Sequence, residues 1–151
     1  MKRVATAAAL VLLSLLLVGC ATGSSKRPAL NNNPIEELTP WQLVETYYKS
    51  LAARDYATAR ACLSPEYASE IDRSDDSDFK NLWSISNLVV SKEANIKLYG
   101  KNYDEVQVVA EYDATYKKII TAENGRQIRF LYVARKSKDS PWRIISIGTG
   151  P

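Results

Sequence analysis

An α+β domain, helices first and antiparallel strands later, is the fold class predicted by this sequence of 151 residues. Three observations predict it. Apolar residues recur at helical spacing between Trp41 and Ile71, and the period drops to two after Trp83. Turn signals at Glu123-Asn124-Gly125 and Lys138-Asp139-Ser140-Pro141 then divide strand-length runs.

The chain opens on Lys2 and Arg3, a run of Ala, Val and Leu from Val4 to Val18, and the sequence Leu17-Val18-Gly19-Cys20. Fifteen helical residues cover about 22 Å. A bilayer core is about 30 Å thick, so the run reads as a removable secretory signal over residues 1–19. An apolar residue, a small one, Gly and Cys form the pattern of a bacterial lipoprotein signal. Cleavage is expected between Gly19 and Cys20, with the sulfur of Cys20 carrying diacylglycerol. The expected mature protein is extracytoplasmic and anchored to the cell membrane by lipid, and two or more acyl chains make its release slow.

The net charge of +3 does not imply an anionic partner. From Cys20 onward there are 18 basic and 17 acidic residues, and setting aside Lys26 and Arg27 leaves 16 basic ones. Such a domain has no general field for nucleic acid, and none is expected as partner. Once Cys20 is acylated only Cys62 remains, so no intrachain disulfide is possible and Cys62 reads as a small buried residue.

Residues 20–38 are rich in Ser, Asn, Gly and Pro and read as the lipidated Cys and a flexible tether; one domain is expected over residues 39–151. Thr39, Pro40 and Gln42 have the residue types and spacing of a helix start. Trp41, Val44, Tyr47, Tyr48 and Leu51 would form the apolar stripe of that helix. Asp55 can cap a second helix carrying Tyr56, Ala59, Cys62 and Leu63, and Ser64-Pro65 can open a third with Tyr67 and Ile71. Asp72, Asp75, Asp76 and Asp78 lack the glycine and closing glutamate of a calcium loop, so Asp72–Lys80 reads as a solvated acidic loop.

Leu88–Val90 and Ile96–Tyr99 read as strands, with a turn at Gly100-Lys101-Asn102. Val106, Val108, Ala110, Tyr112, Ala114 and Tyr116 alternate onto one face, with Gln107, Glu111, Asp113 and Thr115 opposite. Ile128, Phe130, Tyr132 and Ala134 share a face of the next strand, assigned inward. Trp142 to Ile147 form the last.

The helix with Tyr47-Tyr48 and Leu51, the link Ala52-Ala53-Arg54-Asp55-Tyr56, the Ala-rich second helix and Leu63-Ser64-Pro65-Glu66-Tyr67 resemble the nuclear transport factor 2-like superfamily. The ending Asp139-Ser140-Pro141-Trp142 through Gly148-Thr149-Gly150-Pro151 is similar to that of bacterial, mainly Gram-positive, lipoproteins carrying such a domain. The resemblance covers Pro40 to Pro151. It implies a cystatin-like fold, a curved antiparallel sheet wrapped on N-terminal helices into a cone, and it supplies no functional residues. Many such domains dimerise through their sheets, and with Gly148-Thr149-Gly150-Pro151 ending the last strand a domain-swapped or edge-paired homodimer is a further option; some relatives transfer protons inside the cone with an inward Asp or His.

His is absent, and the faces assigned inward carry only apolar and Tyr side chains. Proton transfer would need a carboxylate brought in by a β-bulge, with Glu111 and Asp113 nearest. No phosphate loop, metal-spaced cluster or nucleophile elbow is present, and no cofactor is expected. The leading expectation is a non-catalytic domain that binds an envelope protein or a small apolar ligand, with Tyr47, Trp83, Tyr112 and Tyr132 as candidate pocket lining. The alternative is a proton-transfer enzyme of the ketosteroid-isomerase type.

Overall fold

The computed structural model describes residues 34–75, 77–92 and 104–150. Leu17–Cys20, the tether as far as Asn33, the strand Ile96–Tyr99 and the turn Gly100–Asn102 lie outside the described residues.

Residues 35–38, expected as the end of a tether, are part of the fold. Ile35–Glu37 form a 3-10 turn, Leu38 is 2 % exposed within the core, and Glu36 pairs with Arg143 at 3.4 Å. Helix α1 (Pro40–Ala53) begins where the Thr39 N–H donates to Gln42 Oε1 at 3.0 Å, the interaction expected from the sequence. Its buried stripe is Leu43, Val44, Tyr47, Tyr48 and Leu51. Trp41, expected in that stripe, is 41 % exposed. At about 100° per residue it points a quarter-turn away from the stripe's centre. Arg54 ends the helix in the left-handed region (φ 61°), its N–H bonding back to the Leu51 carbonyl at 3.0 Å.

Helix α2 (Tyr56–Ala61) is capped by Asp55, whose Oδ1 accepts from the Thr58 N–H at 3.1 Å, and Cys62 follows as its C-cap. Helix α3 (Pro65–Arg73) is capped by Ser64 Oγ, which accepts from the Tyr67 N–H at 3.2 Å. The expected acidic loop is partly folded. Ser77 is buried and opens the short helix α4 (Asp78–Asn81).

Strands β1 (Leu82–Lys92), β2 (Asp104–Tyr116), β3 (Gly125–Arg135) and β4 (Arg143–Gly148) form one antiparallel sheet in the order β1-β2-β3-β4. The class is therefore α+β, as predicted. Helix α1 lies across the inner face and touches all four strands. Val106, Val108, Ala110, Tyr112, Ala114 and Tyr116 form that face on β2, all buried.

On β3 the expected face is inverted. Val106 opposes Val133, Val108 opposes Leu131 and Ala110 opposes Arg129, and directly opposed residues share a face. Leu131 and Val133, both at 0 % exposure, are thus inward, and Ile128, Phe130, Tyr132 and Ala134 lie on the outer face. Both faces of β3 are apolar, so alternation alone does not choose between them. The choice falls to the hairpin, where Gly125 at φ 116° opposes Ala114.

Strand β1 shifts register at Trp83 and at Asn87-Leu88, where Asn87 has φ 52° and donates to Asp113 Oδ2 at 2.7 Å. At the other end of the sheet, Leu63 runs parallel to Ile144. The Ile144 N–H donates to the Cys62 carbonyl and the Ser64 N–H to the Ile144 carbonyl, each at 2.9 Å. This bridge covers part of the β4 edge.

Candidate ligand cavity

Each wall of one cavity comes from a different element. Tyr47 on the buried stripe of α1 forms the floor, Tyr67 and Ile71 on α3 one side, and Tyr116, Arg129 and Ile147 of β2, β3 and β4 the other. Asp78 at the start of α4 and Ala122 of the β2–β3 loop close it, and the volume is about 250 Å³. A cavity of ~150 Å³ holds benzene, so there is room for a molecule somewhat larger. Exposed Glu70, Ser74, Thr121 and Thr149 form the rim.

Arg129 is the cation in this wall. Its Nη2 donates to the Tyr116 hydroxyl at 3.3 Å and its Nη1 to the Ile128 carbonyl at 3.2 Å. Among the described residues no carboxylate lies within ion-pair distance of it. Burial opposes its charge, but Tyr112, Tyr116 and Asp78 outweigh burial and raise its pKa. The negative charge of Asp78 reaches across the cavity in the other direction. After burial itself, it is the largest influence raising the pKa of Tyr47, Tyr48 and Tyr116. The cavity therefore presents one cationic and one anionic group on aromatic and aliphatic walls.

Behind the floor lies a stack of tyrosines. The Tyr47 and Tyr48 rings meet edge-on with centroids 5.0 Å apart, and Tyr48 and Tyr112 sit 4.7 Å apart. The Tyr48 and Tyr112 hydroxyls are buried without a hydrogen-bond partner among the described residues. Burial pushes the Tyr112 phenol far up and Tyr67 to about 12.

Of the four side chains expected to line a pocket, Tyr47 is the one that lines this cavity. Tyr112 is 1 % exposed and belongs to the core behind it. Tyr132 is on the outer face, its hydroxyl accepting from Gln107 Nε2 at 2.8 Å. Trp83 is 57 % exposed under the Arg54 guanidinium, 4.7 Å from the ring centroid. Its place in a bulge at the start of β1 turns it away from the inner face. Tyr116 was legible as an inward residue of β2; Arg129 was not, because the face of β3 was inverted, and Asp78 was assigned to a loop.

Glu111 and Asp113 occupy the outer face, Glu111 pairing with Arg126 and Asp113 accepting from Asn87. The register from Asp104 to Ala114 against β3 is unbroken, so no bulge brings either inward. Asp72 binds Arg60 at 2.7 Å and Asp75 binds Lys80 at 3.2 Å. Among the described residues no three acidic, Cys or His side chains are grouped to hold a metal. Cys62 is buried, with its thiol pushed up to about 12 by burial.

Fold and cavity together define a small α+β domain with a polar-capped aromatic pocket between helices and sheet. Residues 41–148 match the family described as Domain of unknown function (DUF4829), and the chain belongs to that family. No curated protein and no solved structure matches it.

Proposed function

We propose that this protein is a lipoprotein held outside the cell membrane by acylated Cys20, and that its nuclear transport factor 2-like domain binds a small ligand without chemically changing it. The observation that carries the ligand reading is the cavity, where Arg129 and Asp78 face an enclosure lined by Tyr47, Tyr67, Ile71, Tyr116 and Ile147. A few placed polar groups on apolar walls are the usual make-up of a small-molecule site. The matching ligand has an apolar body and a polar head that both accepts and donates hydrogen bonds. The Leu17-Val18-Gly19-Cys20 pattern supports the address.

The test is native mass spectrometry of the full-length protein purified from membranes of its host. A chain beginning at Cys20 with a diacylglyceryl mass and a bound small molecule is the expected result. An unmodified thiol at Cys20 overturns the anchoring. Identical spectra for wild type and a cavity-filling Ala122→Phe variant overturn ligand binding. The Asp78 carboxylate, which lines the same cavity as Tyr116, favours a second reading, proton transfer on a bound carbonyl compound. Turnover lost in Asp78→Asn with binding retained would select it.

A further inference from the structure

The end of the domain where α1 finishes and β1 starts carries an unusual surface. Trp83, Ile119 and Ile120 are 57, 56 and 53 % exposed, three of the seven large exposed apolar residues among the described residues. They are held together. Asn81, two residues before Trp83, accepts from the Lys118 N–H at 2.9 Å and donates to the Lys118 carbonyl at 2.8 Å. The Lys117 N–H donates to the Asn81 carbonyl at 2.8 Å, and Leu82 opposes Tyr116. Arg54 covers the Trp83 ring from the end of α1. Exposed Lys117 and Lys118 adjoin the two isoleucines, and the Lys117 ammonium donates to the Lys80 carbonyl at 2.7 Å, which brings Lys80 to the same end.

The charged groups here are mixed, with basic ones at the tip itself. Arg54, Lys80, Lys117 and Lys118 stand near Asp75, which pairs with Lys80 at 3.2 Å, Asp78 at the start of α4 and the exposed Glu123, and Lys117 and Lys118 directly precede the two isoleucines. Exposed aliphatic side chains next to lysines, at the end of the sheet that also carries an exposed indole, have the composition that suits an anionic lipid surface. On such a surface isoleucines enter the acyl boundary, Trp favours headgroup depth and lysines meet the phosphates. A protein partner would bury the isoleucines equally well but gives no reason for lysines directly beside them.

We infer that Lys117, Lys118, Ile119, Ile120 and Trp83 form a tip that docks on the anionic face of a membrane. The inference uses the lipid-anchored reading for proximity alone. From Cys20 to Pro34 the chain spans at most about 50 Å when extended. The α1 helix is about 21 Å long, so a domain tethered at the Thr39 end can lay its Arg54 end on the bilayer. Tethering makes the contact intramolecular, and weak insertion then suffices to hold an orientation.

Hydrogen exchange of the full-length chain on vesicles tests this. On vesicles containing phosphatidylglycerol the amides of Ile119–Ala122 exchange more slowly than on phosphatidylcholine alone, while those of β3 do not change. Lys117→Gln and Lys118→Gln each weaken the docking about fivefold, and Ile119→Asp with Ile120→Asp abolishes the slowing. These side chains are exposed, so unchanged protection of β2 and β3 marks the variants as folded. Equal exchange on both vesicle types, with the chain bound to each, overturns the tip and leaves the anchor standing. A chain that stays off both vesicle types overturns the tip and the anchored reading together.

Discussion

The guanidinium of Arg129 and the hydroxyl of Tyr116 meet at 3.3 Å on the wall of the cavity, a cation leaning on a neutral acceptor. A partly buried charge in that situation keeps donors to spare. Arg129→Leu is expected to lower ligand affinity at least about tenfold, because hydrogen bonds to a charged group contribute about 1.5–3 kcal/mol. Arg129→Lys keeps the charge and loses the fork, and is expected to restore only part of it. Titration of wild type and both variants with the ligand recovered from the host checks this; equal affinities would exclude Arg129 from the site.

Asn81 is 4 % exposed and its side-chain amide closes two hydrogen bonds on Lys118. Asn81→Ala leaves the part-buried Lys118 N–H and C=O to find other partners. It should cost about 2–3 kcal/mol in denaturant unfolding, well above the range of an ordinary surface substitution.

The Tyr112 hydroxyl is buried beside Tyr48 and Tyr116, but its approach to each falls short of good hydrogen-bond geometry. Tyr112→Phe removes a poorly met polar group and keeps the ring against Tyr48. Stability is expected to be unchanged or raised by up to about 1 kcal/mol, whereas Tyr112→Ala opens a cavity and costs about 3–5 kcal/mol. A loss of stability in Tyr112→Phe would reveal a hydrogen bond at that hydroxyl.

Cys62 offers a pH test. Burial lifts its thiol from 9.0 to about 12, so the folded state favours the protonated form. Its contribution to stability is complete below pH 9 and is lost as the pH rises from there toward 12. Tyr47, Tyr48 and Tyr112, all raised above 10.0 first by burial, act in the same direction. Unfolding is expected to become easier above pH 10, and a thiol reagent at pH 8 should react with Cys62 at the unfolding rate only. Rapid labelling of the native protein would contradict that burial.

What the sequence disclosed was what local chemistry decides. Asp55 and Ser64 cap their helices as expected because the bond runs three residues along the chain. The inward face of β2 was legible because Glu111, Asp113 and Thr115 leave its alternation in no doubt. The face of β3 was not, since Leu131 and Val133 compete with Ile128, Phe130 and Tyr132, and only pairing with β2 settles which set is covered. The same inversion hid Arg129. Helical spacing puts Trp41 in the apolar stripe and Trp83 is a candidate for pocket lining, but a quarter-turn of helix and a bulge leave both largely exposed.

Among the described residues, the first tertiary contacts met from the N-terminal side are Ile35 against the core, Leu38 within it and Glu36 against Arg143 at the start of β4. If the front of the chain is moored, any drag on the domain loads this short seam before it reaches α1. Because Leu38 is buried in the same core as Val44 and Tyr47, such a load would have to draw a leucine out of the packing before it could unwind α1.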